Sequence, residues 1–216
     1  MRALLVSLLL LAICFFPLNT FGGCVEGDCV NGKGIMVEPD GTRYEGDFKD
    51  GRPHGRGTFH YPEGKKYEIK SWYNNGRKFT FSLPMGKRYE GQVKGGVRDG
   101  NGALIYYNGA RYVGQFKDNI MNGKGVMTNA GGARYEGDFK DGRPNGHGVI
   151  TFSDGKKYTG GVKNNSIHGK GVMVFPDGRK YAGQFEQGKM SGEGTMTYPD
   201  GKIEKGLFKD DKFAGK

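Results

Sequence analysis

In a chain of 216 residues, glycine supplies 41, far above the ~7% of an average protein, yet the aromatic share is 12% and no collagen-like triplet runs through it. That composition excludes low-complexity coil, and glycine at this density excludes a helical protein. Against 23 acidic side chains stand 33 basic ones, a net charge of +10 that draws the molecule toward anionic phospholipid, nucleic acid or acidic glycopolymer without bearing on fold.

Arg2 opens the chain, followed by an apolar run from Ala3 to Phe16 interrupted only by Ser7, and then by Gly22 and Gly23. The run of 14 residues suits the core of a secretory signal and falls short of the roughly 20 needed to span a bilayer. Residues 1–23 are therefore expected to be a signal peptide, with a retained N-terminal anchor as the alternative. The mature chain would be exported: periplasmic, envelope-anchored or extracellular. Cys14 lies inside this segment, which leaves Cys24 and Cys29. The stretch Phe21-Gly22-Gly23-Cys24 resembles a bacterial lipobox, with Phe21 where that motif prefers Leu, and makes Cys24 a candidate for lipidation. A Cys24–Cys29 disulfide is the second reading. It requires Glu26-Gly27-Asp28 to turn, because the Cα atoms must come within about 7 Å while five extended residues span roughly 16 Å. Two ordinary thiols are the third.

After a shortened N-terminal repeat over residues 24–43, a 23-residue unit recurs from Tyr44, Tyr67, Tyr89, Tyr112, Tyr135, Tyr158 and Tyr181, with one 22-residue step. Residues 44–203 thus hold seven repeats, and 204–216 a truncated one that resembles a polar cap. A fixed period of this length means an array whose units stack only on their neighbours. Within a unit, Tyr44, Gly46 and Phe48 alternate with charged residues, the period-two signature of a strand with one buried face. Asp50 to Gly55 is rich in turn formers, and Gly57 to Tyr61 reads as the returning strand. Each unit is predicted to be a β-hairpin. The fold class is all-β, an elongated single-layer antiparallel meander of stacked hairpins, with aromatic rings lying over glycines.

The pattern Y-x-G-x-F-x-x-G-x-x-x-G-x-G at Tyr44-Gly46-Phe48-Gly51-Gly55-Gly57, and again at Tyr135-Gly137-Phe139-Gly142-Gly146-Gly148, resembles that of MORN repeats (membrane occupation and recognition nexus). The resemblance covers nearly the whole chain beyond the export segment. It implies a twisted sheet of hairpins with roles in scaffolding, self-association and, in some members, anionic-lipid binding, and no enzyme activity of its own. The unit at 67–88 departs from the pattern. Ile69 takes a glycine place and Arg77-Lys78-Phe79 replaces the Gly-x-Gly bend. A bulge or change of curvature is expected there, with Trp72, Tyr73, Phe79 and Phe81 as a candidate docking patch or, alternatively, a repacked local core.

Catalytic constellations do not stand out from the repeat. His54 and His168 share a turn position five repeats apart and read as turn formers. Gly183 to Lys189 matches the start of a phosphate-binding loop, but Met190 stands where Ser or Thr must be and no strand-loop-helix surrounds it. Asn164-Asn165-Ser166 is a glycosylation sequon in an expected turn. No cofactor, metal or small-molecule substrate is expected. More informative is a ladder of cations, Arg43, Lys66, Arg88, Arg111, Arg134, Lys157 and Lys180, each directly before the repeat's Tyr and so on the opposite face. It reads either as a track for an anionic membrane surface or acidic polymer, or as a solvated face neutralised by neighbours such as Glu45, Glu90 and Glu136. The sequence points to a non-enzymatic scaffold or interaction surface with a protein partner or self-association, a basic lipid- or polymer-binding module as the alternative, and no nucleic-acid role.

Overall fold

A computed structural model describes residues 22–62 and 88–215 in full, and the backbone alone of 66–67, 72–74, 77–79, 83–84 and 86–87. The strands are β1 (Gly23–Gly27), β2 (Lys33–Val37), β3 (Arg43–Lys49), β4 (Arg52–His60), β5 (Lys66–Tyr67), β6 (Trp72–Asn74), β7 (Arg77–Phe79), β8 (Leu83–Pro84), β9 (Gly86–Lys94) and β10 (Val97–Tyr106). They continue as β11 (Arg111–Lys117), β12 (Ile120–Thr128), β13 (Arg134–Lys140), β14 (Arg143–Thr151), β15 (Lys157–Lys163), β16 (Ser166–Val174), β17 (Lys180–Glu186), β18 (Lys189–Thr197), β19 (Ile203–Lys209) and β20 (Lys212–Gly215). Sixteen of them make one antiparallel sheet in chain order, from β1 to β4 and then from β9 to β20, a meander of hairpins with no helix among the described residues.

Alternation fixes which face is buried. Tyr44, Tyr89, Tyr112, Tyr158 and Tyr181 are almost wholly buried on one side of the sheet, while the residues before and after them point to the other. From Gly46 to Gly206 the repeat glycines face one another across successive strands without interruption. Each tyrosine ring lies on this ladder so closely that a Cβ built on Gly57 would sit 2.2 Å from the Tyr44 hydroxyl oxygen. The hydroxyl then donates to a backbone carbonyl three residues on: Tyr44 to Asp47 at 3.0 Å, Tyr135 to Asp138 at 2.8 Å, Tyr158 to Gly161 at 2.9 Å. Burial of the phenols pushes Tyr44, Tyr89, Tyr112, Tyr135 and Tyr158 up to about 12.

The repeat phenylalanines join these rings into a zipper. Phe116 meets Tyr89 and Tyr112 edge-on at 5.2 and 5.1 Å between centroids, and Phe185 meets Tyr158 and Tyr181 at 5.1 Å each. Such pairs contribute about 0.5–1.5 kcal/mol each beyond area burial, so units on either side of a repeat phenylalanine are cross-linked through a shared ring. Val93 and Val162 stand where other units carry Phe. Beside Val93, Arg98 lays its guanidinium over Tyr89 and Phe116, 5.8 and 5.4 Å from the centroids, and donates to the Asn119 carbonyl at 2.9 Å.

Two expectations are corrected. The turn after the first strand is not Asp50 to Gly55 but Asp50-Gly51 alone, with φ of 51° and 71°, the two-residue turn whose twist matches that of the flanking strands. The rest of that segment belongs to β4, where a bulge lets Gly46 pair with Gly57 while Phe48 pairs with Pro53. The residue before the repeat's Phe or Val holds the bulge: Asp47 accepts from the Arg56 N–H at 3.0 Å, as Gln92, Gln115 and Asp138 do from the N–H groups of Asn101, Lys124 and His147.

The second correction concerns 67–88. Its strands before β9 do not take a place in the array, because β4 pairs directly with β9, Phe59 opposite Tyr89 and His60 opposite Arg88. Strands β5 and β8 pair with each other, as do β6 and β7, in two small sheets outside the main one. At the other end of the sheet from the chain's C-terminus, Cys24 and Cys29 form a disulfide with Cα atoms 5.8 Å apart. The turn it requires is supplied by Gly27, at φ 76°, and by Asp28, whose carboxylate accepts from Val30 N–H at 2.8 Å and Asn31 N–H at 3.1 Å.

Candidate interaction surface

With the aromatic face closed by its own zipper, the opposite face is where a partner would find exposed side chains. Three rows cross it. The first holds the ladder cations, the second the residues two further on, the third the bulge-capping side chains. Arg43, Arg88, Arg111, Arg134, Lys157 and Lys180 all lie in the first row, on alternate strands roughly 9–10 Å apart. Lys66 does not: it is in β5, outside the main sheet, and its side chain lies outside the described residues.

The second row decides how much of that charge is available. Arg43 is paired with Glu45 at 2.9 Å, Arg88 with Glu90 at 3.0 Å and Arg134 with Glu136 at 2.6 Å. After Arg111, Lys157 and Lys180 the same place is taken by Val113, Thr159 and Ala182. Exposed pairs of this kind contribute only about 0–1 kcal/mol to stability, but they do cancel the field a partner would meet. His60 sits between Arg43 and Arg88 in the first row, and burial followed by those two guanidinium charges lowers its pKa.

The face is furrowed. Over β1 to β4 and β9 to β11 runs an open groove of about 1160 Å³, lined by Lys33, Glu45, Asp47, Arg56, Glu90 and Arg111 among others. A second, of about 670 Å³, lies over β14 to β18 and is lined by His147, Thr159, Lys170, Val172, Gln184 and Glu193 with the glycine ladder as floor.

The candidate aromatic patch is brought together only in part. Trp72 faces Phe79, and Tyr73 faces Lys78, across the β6–β7 pair. The side chains of Trp72, Tyr73 and Phe79, and Phe81 altogether, lie outside the described residues. The Gly183–Lys189 stretch is the end of strand β17, the turn Gln187-Gly188 and the first residue of β18, not a phosphate cradle. Asn164, the sequon residue, occupies a hairpin turn and is exposed. The described residues contain no cluster of His, Cys, Asp or Glu able to hold a metal ion, and no helix long and apolar enough to cross a membrane. At Cys24 the sulfur is committed to Cys29, and an acyl thioether would need that same atom.

Fold and surface together define a β-hairpin repeat array built around a tyrosine–glycine ladder. The sequence profile of the MORN repeat matches residues 44–66, 89–111, 112–134, 135–157, 158–178 and 181–203, more than half of the chain, and the protein belongs to that family. The profile passes over residues 67–88, which hold strands β6 to β8 of the two small sheets. No curated protein matches the sequence. Among solved structures, the chain is similar to the TCP domain of SAS-4 (dCPAP) of Drosophila melanogaster, described in complex with a proline-rich motif of Ana2 (dSTIL). The two share 13% identity, with 88% of this chain and 92% of that one covered and a TM-score of 0.46. The G-box domain of the microcephaly protein CPAP matches at 16% identity, with 87% and 99% covered and a TM-score of 0.23.

Proposed function

We propose that this MORN-repeat protein is an exported, non-enzymatic scaffold at the cell envelope or outside the cytoplasm, presenting the face opposite its tyrosines to a protein partner. The observation that carries the reading is the division of labour between faces: one is sealed by the ring zipper, the other is furrowed, charged and open along the array. Export rests on the apolar run from Ala3 to Phe16, and an oxidising compartment agrees with the Cys24–Cys29 bond. Fractionation of the cells that make the protein, followed by lysine cross-linking and mass spectrometry, tests it. Recovery in the exported fraction, with cross-links from this face to a second protein, is expected. Recovery in the cytoplasm, or a catalytic turnover lost on changing one residue, overturns it. The intact mass of the recovered protein reads the cysteines: a diacyl addition on Cys24 would replace the disulfide and anchor the chain.

A second reading is favoured by Arg111, Lys157 and Lys180, which have no acidic residue two places on. An anionic lipid surface or acidic polymer would then be held by these cations. Binding of this kind falls steeply with salt, since exposed charges are screened beyond about 8 Å at physiological ionic strength. Equal sedimentation with neutral and anionic vesicles would remove it.

A further inference from the structure

The two halves of the furrowed face differ in a way that names a partner's chemistry. Up to β13, three of the first-row cations are answered from within the chain, by Glu45, Glu90 and Glu136 in the second row, with Arg111 the exception, and in the third row Asp138 holds Lys124 at 2.6 Å from the neighbouring strand. From β15 to β17 every corresponding acid is gone. Thr159 and Ala182 follow Lys157 and Lys180, and Lys170, placed in β16 as Lys124 is in β12, faces Gln184 where Lys124 faces Asp138. Among the described residues none of these three lysines has an ion-pair partner.

They are also placed along one line. Lys157 and Lys180 flank Val174, the last residue of β16, on its two neighbouring strands. Val172 comes two residues back on the same face and Lys170 two further, so about 13 Å of strand separates the paired lysines from Lys170 with an apolar step between. Val174 is 42% exposed, and the groove of about 670 Å³ lies over the Lys170–Val172 end of the stretch. Glu193, the carboxylate among the groove's lining residues, is two strands away from Lys170 at the groove's margin.

Resting on the interaction-surface reading above, we propose that this half of the face docks an extended acidic segment of a partner protein lying along β16. Its carboxylates are four residues apart, one between Lys157 and Lys180 and one at Lys170, with an apolar side chain between them on Val172. An extended chain places residues i and i+4 on one side at about 13 Å, which matches the lysine spacing, and residue i+2 falls over the valine. The charge pattern selects this occupant over a flat anionic layer, which would meet Arg111 equally and has no use for the apolar step.

The test is an amide NMR titration of the purified protein with the synthetic peptide Glu-Ser-Val-Ser-Glu, end-capped and repeated twice, against the same peptide with lysine for glutamate. Shifts confined to β15 through β18 with the acidic peptide, and none with the basic one, are expected. Lys157→Gln, Lys170→Gln and Lys180→Gln combined should weaken binding about tenfold, while Arg43→Gln, Arg88→Gln and Arg134→Gln combined leave it within about twofold. Shifts spread along the whole face, insensitivity to the three lysines, or no shift at millimolar peptide overturns the assignment. So does lysine-dependent binding to phosphatidylserine vesicles without any response to the peptide. Cross-linking that maps a partner to this face while the peptide fails would sink this assignment and leave the interaction-surface reading standing.

Discussion

The residue-scale constraint repeated along the array is the contact between each tyrosine and the glycine across the hairpin. Gly148 has no positive φ to forbid a side chain, so space alone excludes one: its Cβ would lie 2.4 Å from Tyr135 Cε2. The ring cannot swing aside without losing the Tyr135 hydroxyl's bond to Asp138 O and its edge contact with Phe139 at 5.2 Å. Gly148→Ala should therefore cost about 1–3 kcal/mol, the usual penalty for overfilling a packed site. Gly109 is the control. It has φ 83° with nothing within 4 Å of its Cβ, so alanine there meets only backbone strain, about 1 kcal/mol. Urea denaturation of both variants measures the difference, and equal midpoints would show that the ring has room to yield. The same scale shows what the sequence made legible. Alternation alone placed Tyr, Gly and Phe on one face and the cations on the other, because the strand period is two. It also showed Glu45, Glu90 and Glu136 two residues after three arginines. What it could not give is the cross-strand partner: that Lys124 meets Asp138 while Lys170 meets Gln184 depends on a register set by the bulge.

At the scale of the element, Gly51 and Gly55 looked alike in sequence, both glycines in a turn-rich stretch, yet one closes the hairpin and the other, at φ 64°, makes the bulge. Periodicity cannot separate those roles, so the turn read too long. The unit at 67–88 was misplaced for a related reason. Its spacing preserved the count of the array, but its residues do not offer a glycine pair to the ladder, whereas Gly57 and Gly91 do, and the sheet closes across them. That geometry makes a prediction. Replacing residues 63–87 with Asp-Gly-Lys reproduces, after Tyr61-Pro62, the connection Tyr198-Pro199-Asp200-Gly201-Lys202 that joins β18 to β19. Because β4 already pairs with β9, the shortened protein should keep its circular dichroism spectrum and melt within a few degrees of the parent, a shift corresponding to under about 1 kcal/mol. Loss of partner cross-links from this variant would assign docking to the Trp72 segment. Collapse of the fold would show that the segment supports the sheet.

For the whole molecule, the tyrosine ladder makes stability depend on alkaline pH. Burial pushes Tyr44, Tyr89, Tyr106, Tyr112, Tyr135 and Tyr158 up to about 12, from 10.0 for an open phenol. The folded chain thus holds its phenolic protons more tightly than the unfolded one. Below about pH 10 both states are protonated and the contribution is fully present; as pH rises from about 10 to about 12 the unfolded state ionises first and that stability is lost. The melting temperature should stay level from about pH 7 to about pH 9 and fall steeply beyond about pH 10. Neighbouring units share Phe116 and Phe185, so a tyrosinate formed in one unit disturbs the ring contacts of the next, and across Val162, where no ring is shared, the continuous strand pairing of β14 with β15 should carry the loss along the array. Tyrosinate absorbance and circular dichroism followed together should then change in one coincident step. If the ladder tyrosines instead ionise smoothly near their open-phenol value while the sheet signal holds, their hydroxyls are reaching solvent, and the glycine ladder is not the seal that leaves the opposite face alone available to a partner.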